Sequence, residues 1–227
     1  MTADATGPAH RSPNLLAVAA VHAVLVVVGA IVVPAIAAGG QPMASPLGDP
    51  ATGAAYAAAH AFAIQLSALL SLGAAIPLGI FTATATSRIQ FLGGRAAGTQ
   101  IAMFGGVAAS VLLTISAAVL WVTPQTSDPA LGHALRLIMF AVGGPACVAA
   151  QGLLIAGIAI TAALHGFVRR GWMLAGVAIA LIAELSVLVL IVPALVPLLP
   201  LARFLGLIWM VGFAAVLPRA RPPEGPR

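Results

Sequence analysis

Charged residues in this chain lie almost entirely between long apolar runs. Of its 227 residues, 61% are hydrophobic and only 7% are charged, whereas a soluble domain carries about 25% charged residues. A water-facing surface cannot be built from this composition. Apolar runs of about 18 residues or more are typical of membrane helices. The sequence therefore predicts an all-α integral membrane bundle with no separate soluble domain.

Six membrane spans can be delimited, because Gly- and Pro-rich segments separate the apolar runs. The predicted spans run approximately over 14–38, 57–84, 98–122, 137–164, 172–192 and 201–217. They form a transmembrane domain over 14–217, with an N-terminal tail over 1–13 and a C-terminal tail over 218–227.

The arginines predict the orientation of the chain. Placing the N-terminus in the cytoplasm puts eight of the ten basic residues there, namely Arg11, Arg88, Arg95, Arg169, Arg170, Arg219, Arg221 and Arg227. Only Arg136 and Arg203 fall outside, so the positive-inside rule predicts that both termini are cytoplasmic. No basic cluster is interleaved with aromatic residues, and we expect no nucleic-acid partner.

The first span has a second interpretation. Arg11, the apolar run and Ala35-Ile36-Ala37 resemble a signal peptide with a cleavage site. Its apolar core is longer than the roughly 7–15 residues of such signals, which favours an uncleaved anchor. Cleavage would leave five spans and an external N-terminus, and this alternative stays open.

Glu184 is the one formally charged side chain well inside an apolar run. Residues four apart share a helix face, so Gly176, Ala180 and Glu184 are expected to form a stripe that faces protein. A charged group at this depth is costly and marks a functional site by default. Two interpretations remain open: a catalytic or proton-coupling acid, and a neutral side chain that bridges two helices.

Four further polar residues are candidate ligand contacts near the predicted outer side: His60, Gln65, Arg136 and Arg203. Together they predict an outward-opening pocket with Glu184 at its floor. His60 and the two arginines also fit interfacial anchors with extended side chains, and Gln65 fits a bond between helices.

No cofactor or metal is expected. The His and acidic residues lack metal-ligand spacing, and no nucleotide-binding or esterase motif stands in a suitable context. His22 and His165 lie at different depths, which disfavours haem. Cys147 is the single cysteine and cannot form a disulfide within one chain.

The second half of the chain resembles a family of bacterial six-helix membrane proteins of unknown function that is common in actinobacteria. The residues that carry the likeness, over about the last 90 positions, are Gly152-Leu153-Leu154-Ile155, Arg169-Arg170-Gly171-Trp172, Leu201 to Gly206, and Leu217-Pro218-Arg219. Ala59-His60-Ala61-Phe62 replaces the Leu-Phe-Arg stretch of that family. The resemblance implies six helices in the cytoplasmic membrane and no particular activity.

The leading functional hypothesis is a non-enzymatic binding, accessory or regulatory protein of the bacterial cell membrane. Its expected partners are membrane lipid and a lipophilic small molecule held in the outward-opening pocket. Small residues at four-residue spacing also favour a homo-oligomer. The alternative is an intramembrane isomerase or cyclase that acts on a lipid or terpenoid, with Glu184 as general acid.

Overall fold

A computed structural model describes residues 10–220, and this part of the chain is all-helical, without a β-strand. The predicted fold class is confirmed to that extent. The remainder of the two tails, including Arg221 and Arg227, lies outside the described residues. The α-helices are α1 (Leu15–Val27), α2 (Val33–Ala37), α3 (Pro50–Ala59), α4 (Ala61–Phe91), α5 (Ala97–Val122), α6 (Pro129–Ala141), α7 (Cys147–Leu164), α8 (Arg170–Leu185) and α9 (Leu198–Val216).

Six helical stretches are long and apolar enough to cross a membrane, as the sequence predicted in number. They are Leu15–Ala37, Ala61–Phe91, Ala97–Gln125, Pro129–Leu164, Arg170–Leu190 and Pro193–Val216. The second stretch continues past Thr84 to Phe91, because no Gly or Pro interrupts it there. Arg88 therefore lies on a helix, although the sequence analysis had placed it in a loop.

Two helix starts missed by the sequence analysis are set by Asp-Pro pairs. The Asp128 carboxylate caps α6 by accepting the Ala130 N–H at 2.9 Å, so this helix begins well before the predicted span. Asp49 caps α3 in the same way, accepting the Thr52 N–H at 2.9 Å. Proline fits the first turn of both helices because its missing N–H has no partner there anyway.

Consecutive long helices run antiparallel, so the bundle has two distinct ends. The arginine end contains both described termini and the connections over 92–96 and 165–169. The cavity end contains the connections over 38–49, 123–128 and 191–197. A backbone hydrogen bond shows that the two termini lie at the same end: the His10 N–H donates to the Arg219 carbonyl at 3.0 Å and joins the segment before α1 to the segment after α9.

The small residues proposed for self-association are used within the chain. Gly176 of α8 lies against Ala159 of α7 and Trp209 of α9, where an added Cβ would approach within 2.8–2.9 Å. Gly106 of α5 packs in the same manner on Thr82 of α4. These contacts bring backbones close together, and the sequence argument for a homo-oligomer therefore no longer applies to these residues.

The outer surface of the bundle is as apolar as its core. Phe81 and Phe213 are fully buried, while Phe62 is 71% exposed and Ile191 is 81% exposed. Contiguous exposed apolar surface is unusual on a soluble monomer. This distribution suits a bundle whose surroundings are themselves apolar.

Two of the long helices are interrupted ahead of a proline. A π-helical turn, Val28–Val32, separates α1 from α2 just before Pro34, and a second, Val142–Ala146, separates α6 from α7 and contains Pro145. Proline cannot donate to the preceding turn, so the helix must widen or bend there. Both interruptions lie in the half of the bundle near the cavity end.

Candidate functional site

Glu184 does not face the protein, and that prediction is wrong. Gly176 and Ala180 are buried as expected, but Glu184 is exposed on the outer surface of α8. A helix turns by about 100° per residue, so two steps of four residues rotate the side chain about 80° off the starting line. Ala183, seven residues after Gly176, stays in register and is 2% exposed.

Glu184 also stands apart from the other candidate residues. Its carboxylate forms no hydrogen bond or ion pair with any residue of the described part of the chain. The predicted pocket with this acid at its floor is therefore absent from the described bundle.

His60 is occupied at the start of α4, at the cavity end. Its Nε2 lies 3.2 Å from the side-chain oxygen of Gln41. Its ring packs at a tilt against Tyr56, with centroids 4.7 Å apart. Tyr56 in turn donates its hydroxyl to the Gln41 carbonyl at 3.3 Å, and burial raises the pKa of this hydroxyl. These contacts tie the loop after α2 to the corner between α3 and α4.

Arg136 is buried and holds α3 in place. The side chain is 5% exposed, and its Nη2 donates to the Pro50 carbonyl at 3.1 Å. The guanidinium lies flat on Gly53, where an added Cβ would approach within 2.6 Å. Both observations assign Arg136 a structural contact between α6 and α3.

Gln65 lies in a groove on the surface between α4 and α5. Apolar side chains surround it there, including Phe62 and Trp121. The groove does not include Arg203 or Glu184.

Two of the predicted residues line large spaces of equal volume, about 660 Å³ each: Gln65 lines the groove between α4 and α5, and Arg203 lines a partly open cavity. This central cavity is bounded by the π-helical turn Val28–Val32, by α2, α4, α5 and α6, by the turn after α6, and by α9. Among the described residues, Arg203 is the only charged one in its lining. Gly40 and Pro42, which are exposed, lie at its mouth at the cavity end.

A smaller chamber continues the central cavity toward the middle of the bundle. The inner chamber has a volume of about 50 Å³, which is room for a few water molecules. Arg203 and Ser71 line both spaces and mark the neck between them. His22, Cys147 and Gln151 line the inner chamber.

The polar groups of the inner chamber are partly committed to protein contacts. His22 is buried, and its Nδ1 lies 2.8 Å from the Ala74 carbonyl. Since Nδ1 must then be the donor, Nε2 is the ring nitrogen left for another contact. The Gln151 amide donates to the Met210 sulfur at 3.4 Å. The Ser71 hydroxyl at the neck has no hydrogen-bond partner among the described residues.

The two helix interruptions release backbone carbonyls beside the central cavity. The Val33 N–H bonds to Val28 and Pro34 has no N–H, so the Gly29 carbonyl loses its helical partner. The Ser67 hydroxyl satisfies it at 2.8 Å. Buried carbonyls need such a partner, and here a facing helix supplies it.

The carbonyl freed by the second interruption also receives a donor from a facing helix. The Cys147 N–H bonds to the carbonyls of Val142 and Gly144, which leaves the Gly143 carbonyl free to accept from Arg203 Nη2. Ser116 donates to the Met139 carbonyl at 3.1 Å. Wide helical turns of this kind are frequent at functional sites, and both turns line the central cavity.

Comparison with known proteins gives no family or neighbour: no family model matches the chain, and no curated protein or solved structure matches it either. The resemblance in the second half stays an expectation.

The described residues contain no group of three or more His, Cys, Asp and Glu side chains placed to hold a metal ion. His22 and His165 each bond a separate backbone carbonyl, Ala74 for the former and Thr161 for the latter, at 2.8 and 2.9 Å.

The sequence analysis missed the role of the carbonyls beside the cavity. Gly143-Gly144-Pro145 was visible as a kink, but nothing in it indicated that Arg203 would supply the missing donor. Two sequence features together could have indicated the contact: a proline that interrupts the fourth span, and an arginine inside the apolar run of the sixth.

Proposed function

We propose that the chain is a multi-pass protein of the bacterial cytoplasmic membrane, with both termini on the cytoplasmic side. Six helices of sufficient length and an apolar outer surface support insertion. Of the described acids, Asp49 and Asp128 precede helices at the cavity end, whereas six arginines lie at or near the arginine end, namely Arg11, Arg88, Arg95, Arg169, Arg170 and Arg219. Under the positive-inside rule the arginine end is cytoplasmic and the cavity end faces outward.

The function that the geometry supports best is binding of an amphiphile with an anionic head group in the central cavity. One observation carries this proposal: Arg203 is the single charged side chain in a mainly apolar cavity of about 660 Å³. Ligand sites have volumes of about 300–1,000 Å³ and few polar groups, which fix the orientation of the ligand. A carboxylate or similar head at Arg203 would leave the apolar tail among the apolar walls.

Helix arrangement supports entry of such a ligand from the membrane. Helices α1 and α9 are joined at the arginine end by the bond between His10 and Arg219. At the other end, the π-helical turn Val28–Val32 and α2 contribute one wall of the central cavity, and α9 contributes another. Ile31 in one wall is 51% exposed, and Phe204 in the other is partly exposed. A lipophilic molecule would enter between these walls.

The alternative of an intramembrane isomerase or cyclase needs Glu184 to reach the substrate. Glu184 lies on the outer surface of α8 and does not line the central cavity. The binding function is therefore favoured over catalysis by this acid.

The proposal is tested with a matched pair of fluorescent probes, a dansylated undecanoic acid and the corresponding alcohol, titrated into the detergent-purified protein. Arg203→Gln keeps a donor for the Gly143 carbonyl and removes the charge. We expect this variant to bind the acid about tenfold more weakly, because a charged hydrogen bond is lost. The affinity for the alcohol is expected to stay unchanged.

Arg170→Gln is the matched control. Arg170 is exposed at the arginine end, and its replacement by Gln lowers the net charge by the same amount as Arg203→Gln. It should leave both affinities unchanged. Equal binding of the acid by the wild-type protein and Arg203→Gln would contradict the proposal, as would no binding of either probe.

A further inference from the structure

A second charged group, at the arginine end, is buried without enough partners. Arg88 lies in the last turn of α4 and is 3% exposed. Its Nη2 donates to the Ser12 hydroxyl at 3.3 Å. Its Nε and Nη1 are buried and have no acceptor.

A buried guanidinium with two unsatisfied donors destabilises the folded protein. Burying a charge is costly unless it is paired and hydrogen-bonded, and leaving a buried donor unsatisfied adds to that cost. Because native structures rarely retain such groups, each one indicates a missing water, ion or ligand. The two free donors of Arg88 indicate a missing acceptor.

The surroundings of Arg88 are positively charged, which selects an anion over water. The Arg219 guanidinium approaches from the end of α9 and donates to the Asn14 side chain at 3.4 Å. His10 lies on the other flank, with its Nε2 3.1 Å from the Ser87 hydroxyl. Burial, together with the positive charge of Arg88, lowers the pKa of His10.

No acid among the described residues neutralises this cluster. Asp49 and Asp128 belong to the cavity end, and Glu184 is on the outer surface of α8. The anion that completes the site therefore comes from outside the described part of the chain.

We propose that Arg88, Arg219 and Ser12 form a site for a phosphate group, carried by a membrane phospholipid or by free phosphate. Guanidinium groups form strong, charge-assisted hydrogen bonds to phosphate oxygens. Basic pockets between helices on the cytoplasmic side bind phosphate head groups of lipids. This site lies at the opposite end of the bundle from the central cavity and is independent of the amphiphile proposed there.

Residues 10–14 precede α1 without helical structure and lie beside the site. His10 is bonded to the Arg219 carbonyl, and Asn14 accepts from the Arg219 side chain, whereas Ser12 contacts Arg88 through one bond at 3.3 Å. Because Nε and Nη1 are buried, a phosphate reaches them only when a covering group moves aside.

The test measures binding to the full-length protein in an uncharged maltoside detergent. Native mass spectrometry follows dioleoyl phosphatidylglycerol and dioleoylglycerol, which differ in the phosphate head, and calorimetry follows inorganic phosphate. We expect the wild-type protein to bind at least one of the two phosphate sources and not dioleoylglycerol. Arg88→Gln should weaken that binding about tenfold, because charged hydrogen bonds are lost.

Arg95→Gln is the matched control, since Arg95 is exposed at the same end and carries the same charge; its effect should stay within about twofold. If Arg88→Gln does not fold, Arg219→Gln is measured in its place, because Arg219 is exposed. We expect this variant to bind the phosphate source about threefold more weakly. Binding of phosphatidylglycerol without inorganic phosphate identifies the lipid as the source, and the reverse identifies free phosphate.

Three results would overturn the proposal. The first is equal binding of dioleoylglycerol, and the second is an equal loss in Arg95→Gln. The third is binding of neither phosphate source by the wild-type protein.

Discussion

At the scale of single residues, Arg203 combines a structural and a proposed binding contact. Its Nη2 satisfies the Gly143 carbonyl, while the side chain lines both the central cavity and the inner chamber. An arginine has five N–H donors, so one bond to a carbonyl leaves others for a ligand. Fixing the guanidinium on the backbone also orients it before a ligand arrives, which reduces the entropy lost on binding.

Glu184→Gln tests the separation of this acid from the site. The substitution keeps the shape of the side chain and removes its charge. Because Glu184 is exposed on α8 and does not line the central cavity, we expect the affinity for the dansylated acid to stay within about twofold of wild type. Titration of the purified variant measures this, and a loss as large as that in Arg203→Gln would restore Glu184 to the site.

The contrast between Glu184 and Arg203 shows what a sequence tells about single residues. An acid inside an apolar run is conspicuous, and its cost in a membrane can be estimated. The direction in which the side chain points depends on how far the helix rotates over two turns and on where the neighbouring helices lie. Arg203 stood near the start of its predicted span and had an equally good interpretation as an anchor, because the carbonyl that it satisfies belongs to another helix.

At the scale of elements, the two proline-interrupted helices shape the cavity. Each interruption replaces a regular turn by a wider one and frees a carbonyl toward a facing helix. Such breaks are tolerated in membrane helices where neighbouring groups satisfy the backbone. Both interruptions include a closely packed glycine: an added Cβ at Gly143 would overlap Ser116, and one at Gly29 would lie 3.1 Å from Leu70 Cβ.

Gly143→Ala is expected to destabilise the protein by about 1–3 kcal/mol, because the new methyl group overlaps Ser116 and the backbone must shift. Gly73→Ala is the matched control within α4, where the nearest atom to an added Cβ is Leu25 Cδ1 at 3.8 Å. This control should be neutral or stabilising by up to about 1 kcal/mol. Thermal unfolding in detergent compares the two, and equal melting temperatures would contradict the packing at Gly143.

The elements themselves were largely predictable, since six apolar runs separated by Gly and Pro give the count of long helices. Two features were harder to predict from the sequence. The long α4 places Arg88 inside the bundle, and the only indication of this length was that no Gly or Pro stands between Thr84 and Gly93. Helix α3 is short and has Pro50, Thr52 and Gly53 in its first turn, which are typical of a loop; its cap at Asp49 was the available signal.

At the scale of the whole molecule, the two ends of the bundle differ in charge and in content. Arginines crowd one end with no described acid beside them, and the other end holds two acidic helix caps and the mouth of the cavity. The proposed phosphate site and the proposed amphiphile site thus lie at opposite ends of the bundle. Charge placement along the sequence predicted the asymmetry, but the two sites needed the packing of separate helices.

Labelling of introduced cysteines tests the orientation. Cys147 is buried and should not react, so Ser45→Cys at the cavity end and Arg95→Cys at the arginine end are compared directly. Both positions are exposed. We expect a membrane-impermeant maleimide to label Ser45→Cys in intact cells, and Arg95→Cys only after permeabilisation. The reverse pattern would contradict the proposed orientation.

Native mass spectrometry of the protein extracted from its own membranes shows whether the central cavity holds an anionic amphiphile. If the central cavity binds an anionic amphiphile through Arg203, the wild-type protein and Arg170→Gln should both retain one such molecule, identifiable after release. Arg203→Gln should lose it. A wild-type protein that carries no amphiphile, or an Arg203→Gln variant that keeps the same molecule to the same extent, would contradict the account.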